Sequence, residues 1–200
     1  MFTNQRFDGW KLKPSTLAGL QELGWENATQ VQRDTVPIAL SGSDVIGQAR
    51  TGSGKTGAFG IPIIESCQPT GKLQALILAP TRELANQVSE EMTAIQGDSG
   101  LVIATVYGGT DIEKQARKLS DGVDVIVGTP GRVMDMTKRK FIDLSSPKIF
   151  CLDEADRMLD MGFFPDITWV IERMTGRQQT LLFSATFPQE ILDAAYEFMN

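Results

Sequence analysis

Apolar residues recur at helical spacing around Leu17, Leu20 and Leu23, and beyond them the chain changes rhythm: short apolar runs alternate with amphipathic stretches. The runs at 44–47, 75–78, 102–106, 123–127, 149–152 and 180–183 predict strands. Most of them lack a period-two alternation, as strands do when both faces are buried. Between them the spacing predicts helices, most clearly over 82–95, where Leu84, Val88, Met92 and Ile95 fall at three- and four-residue steps, and over 189–199. Strand and helix repeated in this way predict an α/β fold with a mostly parallel central sheet and helices on both faces, because a parallel crossover needs a helix-length connection. No internal repeat or linker divides the chain, so residues 1–200 are expected to form one domain.

In such sheets ligands bind beyond the carboxyl ends of the strands. Polar and glycine-rich residues follow each predicted strand: 51–56, 80–83, 108–110, 129–132, 153–156 and 184–186. The chemistry is therefore expected along one edge of the sheet.

Composition narrows what that chemistry is. With 42% hydrophobic and 22% charged residues the chain is of ordinary globular type. Histidine is absent, which excludes a histidine base and histidine-ligated metals. Cys67 and Cys151 lie far apart, so they offer neither a zinc site nor a redox pair, and a reducing compartment fits them. The first ten residues lack the apolar centre of a signal peptide, and no later stretch reaches the roughly 20 apolar residues of a membrane span. A soluble, cytoplasmic monomer is the expectation. A net charge of −6 speaks against gripping nucleic acid by bulk charge, so any such contact must be local.

The strongest chemical signal is Ala49-Arg50-Thr51-Gly52-Ser53-Gly54-Lys55-Thr56, set between a strand and a helix. It has the P-loop pattern, with alanine in place of the first glycine. Gly52 and Gly54 permit positive φ, which turns consecutive N–H groups toward phosphate oxygens, and the helix N-terminus adds its partial positive charge. Lys55 is expected to reach the β- and γ-phosphates and the Thr56 hydroxyl to ligate Mg²⁺. An apolar strand then ends in Asp153-Glu154. Asp153 is the candidate to hold Mg²⁺, through water, and Glu154 to activate the attacking water. Asp153 is also a candidate N-cap for the helix that follows. The alternative for the loop, a glycine-rich turn with a surface lysine, is the less specific reading.

The four residues Asp153-Glu154-Ala155-Asp156 spell DEAD, and here the chain closely resembles the DEAD-box RNA helicases over essentially its whole length. Phe7 stands seventeen residues before Gly24, and Trp25, Thr29 and Gln32 follow, similar to the family's Q motif. The resemblance implies that Gln32 reads the adenine edge and that an aromatic stacks on the ring. Pro80, Thr81 and Arg82 match motif Ia, Gly108 and Gly109 the glycine pair, and Thr129, Pro130, Gly131 and Arg132 motif Ib, which in the family line the RNA backbone. Ser184, Ala185 and Thr186 match motif III, which, with Asp156, couples nucleotide state to RNA. The implied fold is a RecA-like P-loop three-layer sandwich, the implied ligands ATP, Mg²⁺ and RNA, and the implied partner a second RecA-like domain that this chain does not contain.

Three departures stand out. Ala28 and Gln30 occupy positions where the family has prolines, Trp25 stands where phenylalanine is usual, and with Arg82 and Arg132 expected at the RNA groove no remaining arginine has an obvious claim to neutralise charge on a transferring γ-phosphate. Slow hydrolysis by this chain alone is expected. A GTPase reading lacks its N-K-x-D motif. A non-catalytic RNA-binding module remains the alternative, against which Lys55, Asp153 and Glu154 all speak.

Overall fold

Six parallel strands end in register along one edge, which is what gathers the polar segments into one place. The computed structural model describes residues 1–199. In chain order the elements are β1 (Phe2–Arg6), a 3₁₀ turn (Phe7–Trp10), α1 (Pro14–Glu22), β2 (Asn27–Thr29), α2 (Gln30–Leu40), β3 (Val45–Gln48), α3 (Lys55–Ser66), β4 (Ala75–Leu78) and α4 (Arg82–Gln96). There follow β5 (Ile103–Val106), α5 (Ile112–Ser120), β6 (Val125–Gly128), α6 (Pro130–Lys138), β7 (Ile149–Leu152), α7 (Ala155–Asp160), α8 (Phe164–Arg173), β8 (Gln179–Ser184) and α9 (Gln189–Phe198).

The main sheet runs β3-β8-β7-β4-β6-β5, all parallel. Leu78 pairs with both Gly128 and Leu152, and Gln48 pairs with Ser184, so the strands finish level with one another. Alternate residues go to opposite cores. Ala75, Ile77, Val125, Val127, Cys151 and Phe183 pack with α2, α3 and α4 on one face. Leu76, Leu78, Ile126, Phe150, Leu152 and Leu182 pack with α6, α7, α8 and α9 on the other. Burial on both sides is why these strands read as unbroken apolar runs, and the result is the three-layer sandwich expected.

Boundaries moved where a loop took over the predicted strand. Val123 and Asp124 stand outside β6: the Val123 N–H donates to Gly71 O at 3.1 Å, and the buried Asp124 carboxylate accepts from the N–H groups of Thr70, Gly71 and Val102 and from Gln74 Nε2. A two-stranded antiparallel ribbon, β1 with β2, precedes the main sheet, and its short, half-exposed strands carry too little hydrophobic pattern to be legible in the sequence. Among the described residues no helix is long and apolar enough to cross a membrane.

Candidate nucleotide site

The loop between β3 and α3 depends on glycine at two places. Gly52 and Gly54 have φ of 82° and 87°, and α3 opens at Lys55 directly after Gly54. A Cβ on Gly54 would sit 2.7 Å from Thr29 Oγ1 and 2.8 Å from Gln32 Nε2, and one on Gly57 would sit 2.5 Å from Gln32 Nε2. Only bare backbone lets the loop dock this closely on the start of α2. Thr29 and Gln32 there form a reciprocal capping box: Gln32 Oε1 accepts from Thr29 N at 2.9 Å, and Thr29 Oγ1 accepts from Gln32 N. This box fixes the segment in which Ala28 and Gln30 replace prolines.

A cleft of about 320 Å³ lies over these elements, within the roughly 300–1,000 Å³ range of small-molecule sites. Of the residues expected from sequence it gathers Phe7, Trp25, Thr29 and Gln32 with Thr51, Gly52, Gly54, Lys55 and Thr56, and with Asp153 and Glu154. Phe7 is buried and stacks on Trp25 with centroids 6.1 Å apart and planes 28° apart. Ala49, Arg50 and Ser53 fall elsewhere. They line an open depression on the β3 side of the loop, where Ala49 N donates to Ser184 O and Ser53 closes the turn through Arg50 O.

Two carboxylates face the loop lysine. Lys55 Nζ lies 3.0 Å from Asp153 Oδ1 and 3.2 Å from Glu154 Oε2, and neither oxygen accepts any other bond. Asp153 is 1% exposed, and its carboxyl is pushed up to about 6: burial raises it, the Lys55 ammonium offsets only part of that, and Glu154 adds repulsion. The N-cap of α7 is Glu154, not Asp153, and its backbone is left-handed with φ 57°. For a residue other than glycine that conformation costs about 1–2 kcal/mol. No side-chain capping bond is made there, so the expected capping role of Asp153 does not hold.

The other expected segments end β4, β5 and β6. Thr81 caps α4 by accepting from Leu84 N at 3.2 Å, and the Arg82 guanidinium lies over the Tyr107 ring at 4.6 Å. Arg132 donates to Gln115 Oε1 at 2.9 Å and to Thr110 O at 3.0 Å, which ties α6 to the loop of Gly108 and Gly109. Gly131 is open to its surroundings, and Thr129 N donates to Val106 O. Pro80 and Pro130 are buried, so their part is to shape the backbone rather than to present a surface. At the end of β8, Asp156 Oδ2 accepts from Thr186 N at 3.1 Å and from Thr186 Oγ1 at 2.8 Å. Ser184 Oγ accepts from Asp156 N and donates to Thr186 O. Ala185 stands between them, half-buried.

The family model described as DEAD/DEAH box helicase matches residues 29–194. The chain belongs to the DEAD/DEAH box helicase family. It is 46% identical over 196 residues to the DEAD-box ATP-dependent RNA helicase CshA of Streptococcus pneumoniae and 46% identical over 181 residues to the RNA helicase CrhR of Synechocystis. These alignments cover 98% and 90% of this chain, and the chain spans 37% of the length of either relative. A crystal structure of a DEAD box protein from Methanococcus jannaschii superimposes with a TM-score of 0.94 at 40% identity, covering 98% of this chain and 54% of that one.

Part of the cleft lining is not legible in the sequence. Leu84, Gln87, Val88 and Glu91 line the cleft from one face of α4, and Phe2 and Asn27 line it from the ribbon. Burial raises the Glu91 carboxyl, against a hydrogen bond with Thr56 that lowers it. The three- and four-residue steps of α4 were legible as a packing face, and nothing local marked that face as lining a site. Among the described residues there is no cluster of three metal-ligating side chains of the histidine, cysteine, aspartate or glutamate type. The Thr56 hydroxyl and two buried carboxylate oxygens that accept no bond beyond the Lys55 contact are nevertheless a hard, oxygen-only donor set, which suits Mg²⁺ with most of its waters kept.

Proposed function

We propose that residues 1–200 form one RecA-like ATP-binding domain of a DEAD-box RNA helicase, acting together with a second domain of the same kind. The observation that carries this reading is the convergence of Trp25, Thr29 and Gln32, the loop 51–56, and Asp153 with Glu154 on one cleft. Gln32 supplies an amide, the group that pairs bidentately with adenine. The 51–56 loop and Lys55 take the phosphates. Thr56 and Asp153 hold Mg²⁺, which neutralises charge on the β- and γ-phosphates when bound.

Before nucleotide arrives, Lys55 is held by Asp153 and Glu154, so binding must draw the ammonium toward the phosphates and release both acids. Glu154 is then placed to orient and deprotonate a water. Among the described residues that line the cleft, Lys55 is the only cation. Fast phosphoryl transfer needs a further arginine, which we assign to the second domain. RNA lies along Thr81, Arg82, Gly108, Gly109, Thr129, Gly131 and Arg132, held by hydroxyl, backbone N–H and guanidinium contacts to phosphates and therefore without sequence preference. The Asp156–Thr186–Ser184 network links the DEAD residues to that groove.

Titration with MgADP and MgGDP tests the core of this reading. A preference for ADP that disappears in Gln32→Ala supports it. Equal affinity for both removes the adenine assignment, and no binding of either removes the nucleotide site.

A further inference from the structure

Phe2 lines the nucleotide cleft and yet is 77% exposed. It is not a loose end. In the β1–β2 ribbon it stands opposite Thr29, the N-cap of α2. Gln30 N donates to Met1 O at 3.2 Å, Thr3 Oγ1 donates to Ala28 O at 2.8 Å, and Asn27 Nδ2 donates to Thr3 O at 2.9 Å. These bonds fasten the backbone on both sides of Phe2 to the segment that carries Thr29 and Gln32. An aromatic ring held in water at a fixed place forgoes the free energy of burial, and a planar ligand entering the cleft would recover it.

The inner aromatic surface is already built: Phe7 backs Trp25, and Trp10 meets Phe7 edge-on at 5.6 Å. We propose that Phe2 is the outer aromatic wall of the base site, covering the nucleobase from the solvent side and slowing its release. This rests on the cleft being a nucleotide site. Phenylalanine has no hydrogen-bonding atom in its side chain, so Phe2 cannot read a base edge. It should strengthen adenine and guanine nucleotides by the same factor and leave discrimination between them to Gln32.

The test is calorimetric titration of the wild-type chain, Phe2→Ala and Phe2→Trp with MgADP, MgGDP and inorganic tripolyphosphate, with a thermal melt of each. In Phe2→Ala, ADP and GDP should both weaken by about fivefold to tenfold, the lower part of what base–aromatic stacking contributes. Tripolyphosphate binding and melting temperature should not change, and Phe2→Trp should restore affinity. Unchanged ADP affinity in Phe2→Ala overturns the proposal while leaving the nucleotide site standing. Weakened tripolyphosphate binding also overturns it, since the effect would then come from a disturbed ribbon. If the wild-type chain binds neither nucleotide, the underlying reading fails and this proposal fails with it.

Discussion

Gln32 Nε2 donates to the backbone carbonyl of Gly54 at 2.9 Å, a bond that joins the start of α2 to the phosphate loop across 22 positions of sequence. The same side chain accepts from Thr29 N through Oε1. A primary amide has two protons and two oxygen lone pairs, so one of each remains to meet a base edge. Gln32 therefore spends only half of its hydrogen-bonding capacity on the fold.

A structural effect without any ligand follows from this. Gln32→Ala loses both the capping-box partner and the tie to the loop, and should lower stability by about 1–2 kcal/mol in the absence of nucleotide. Urea unfolding of the free chain measures it. A variant as stable as wild type would show that the Gly54 contact carries no energy.

The Lys55–Asp153 contact predicts a dependence of stability on pH. The Asp153 carboxyl is raised from 3.8 to about 6 in the folded chain because burial outweighs the attraction of Lys55. Between those values the folded state keeps a proton that the unfolded state has released, so stability falls as pH rises through the window, and the full cost stands above about 6. Asp153→Asn, which cannot ionise, should be more stable than wild type at pH 7–8 by about 1–3 kcal/mol. That advantage should shrink toward pH 4. Thermal melts of both proteins across this range decide it, and a difference that does not vary with pH counts against the argument.

At the far end of the sheet, Asp124 predicts the opposite division of roles. Its carboxylate accepts from four donors and is 1% exposed. Asp124→Ala strands those donors and should cost at least about 3 kcal/mol. It lies before the amino end of β6, away from the cleft, so the affinity for MgADP at low temperature should match wild type. A fall in affinity at temperatures where the variant is fully folded would show that the two ends of the sheet communicate.

Much of the site was legible because its parts are local. A lysine directly after a glycine at the start of a helix, two acids after an apolar run and two hydroxyl residues around an alanine after another each carry their chemistry within a few consecutive positions. What was not legible depends on partners distant in sequence. Glu91 faces Thr56 only because α4 packs against α3, and Arg82 meets Tyr107 only because the ends of β4 and β5 are brought level. Pro80 and Pro130 looked like surface residues of their motifs, and packing buried them.

The sequence by itself determined the alternation of strands and helices, the burial of the sheet on both faces and the phosphate loop. Each of these is set by side-chain character within a few residues: apolar runs that must leave water, and glycines where φ must be positive. Tertiary structure alone decided the strand order β3-β8-β7-β4-β6-β5, the ribbon that carries Phe2 to the cleft and the bond from Gln32 to Gly54. Those features come from which surfaces fit together once the core closes, and contacts between distant segments leave no periodicity in the chain for a sequence reading to find.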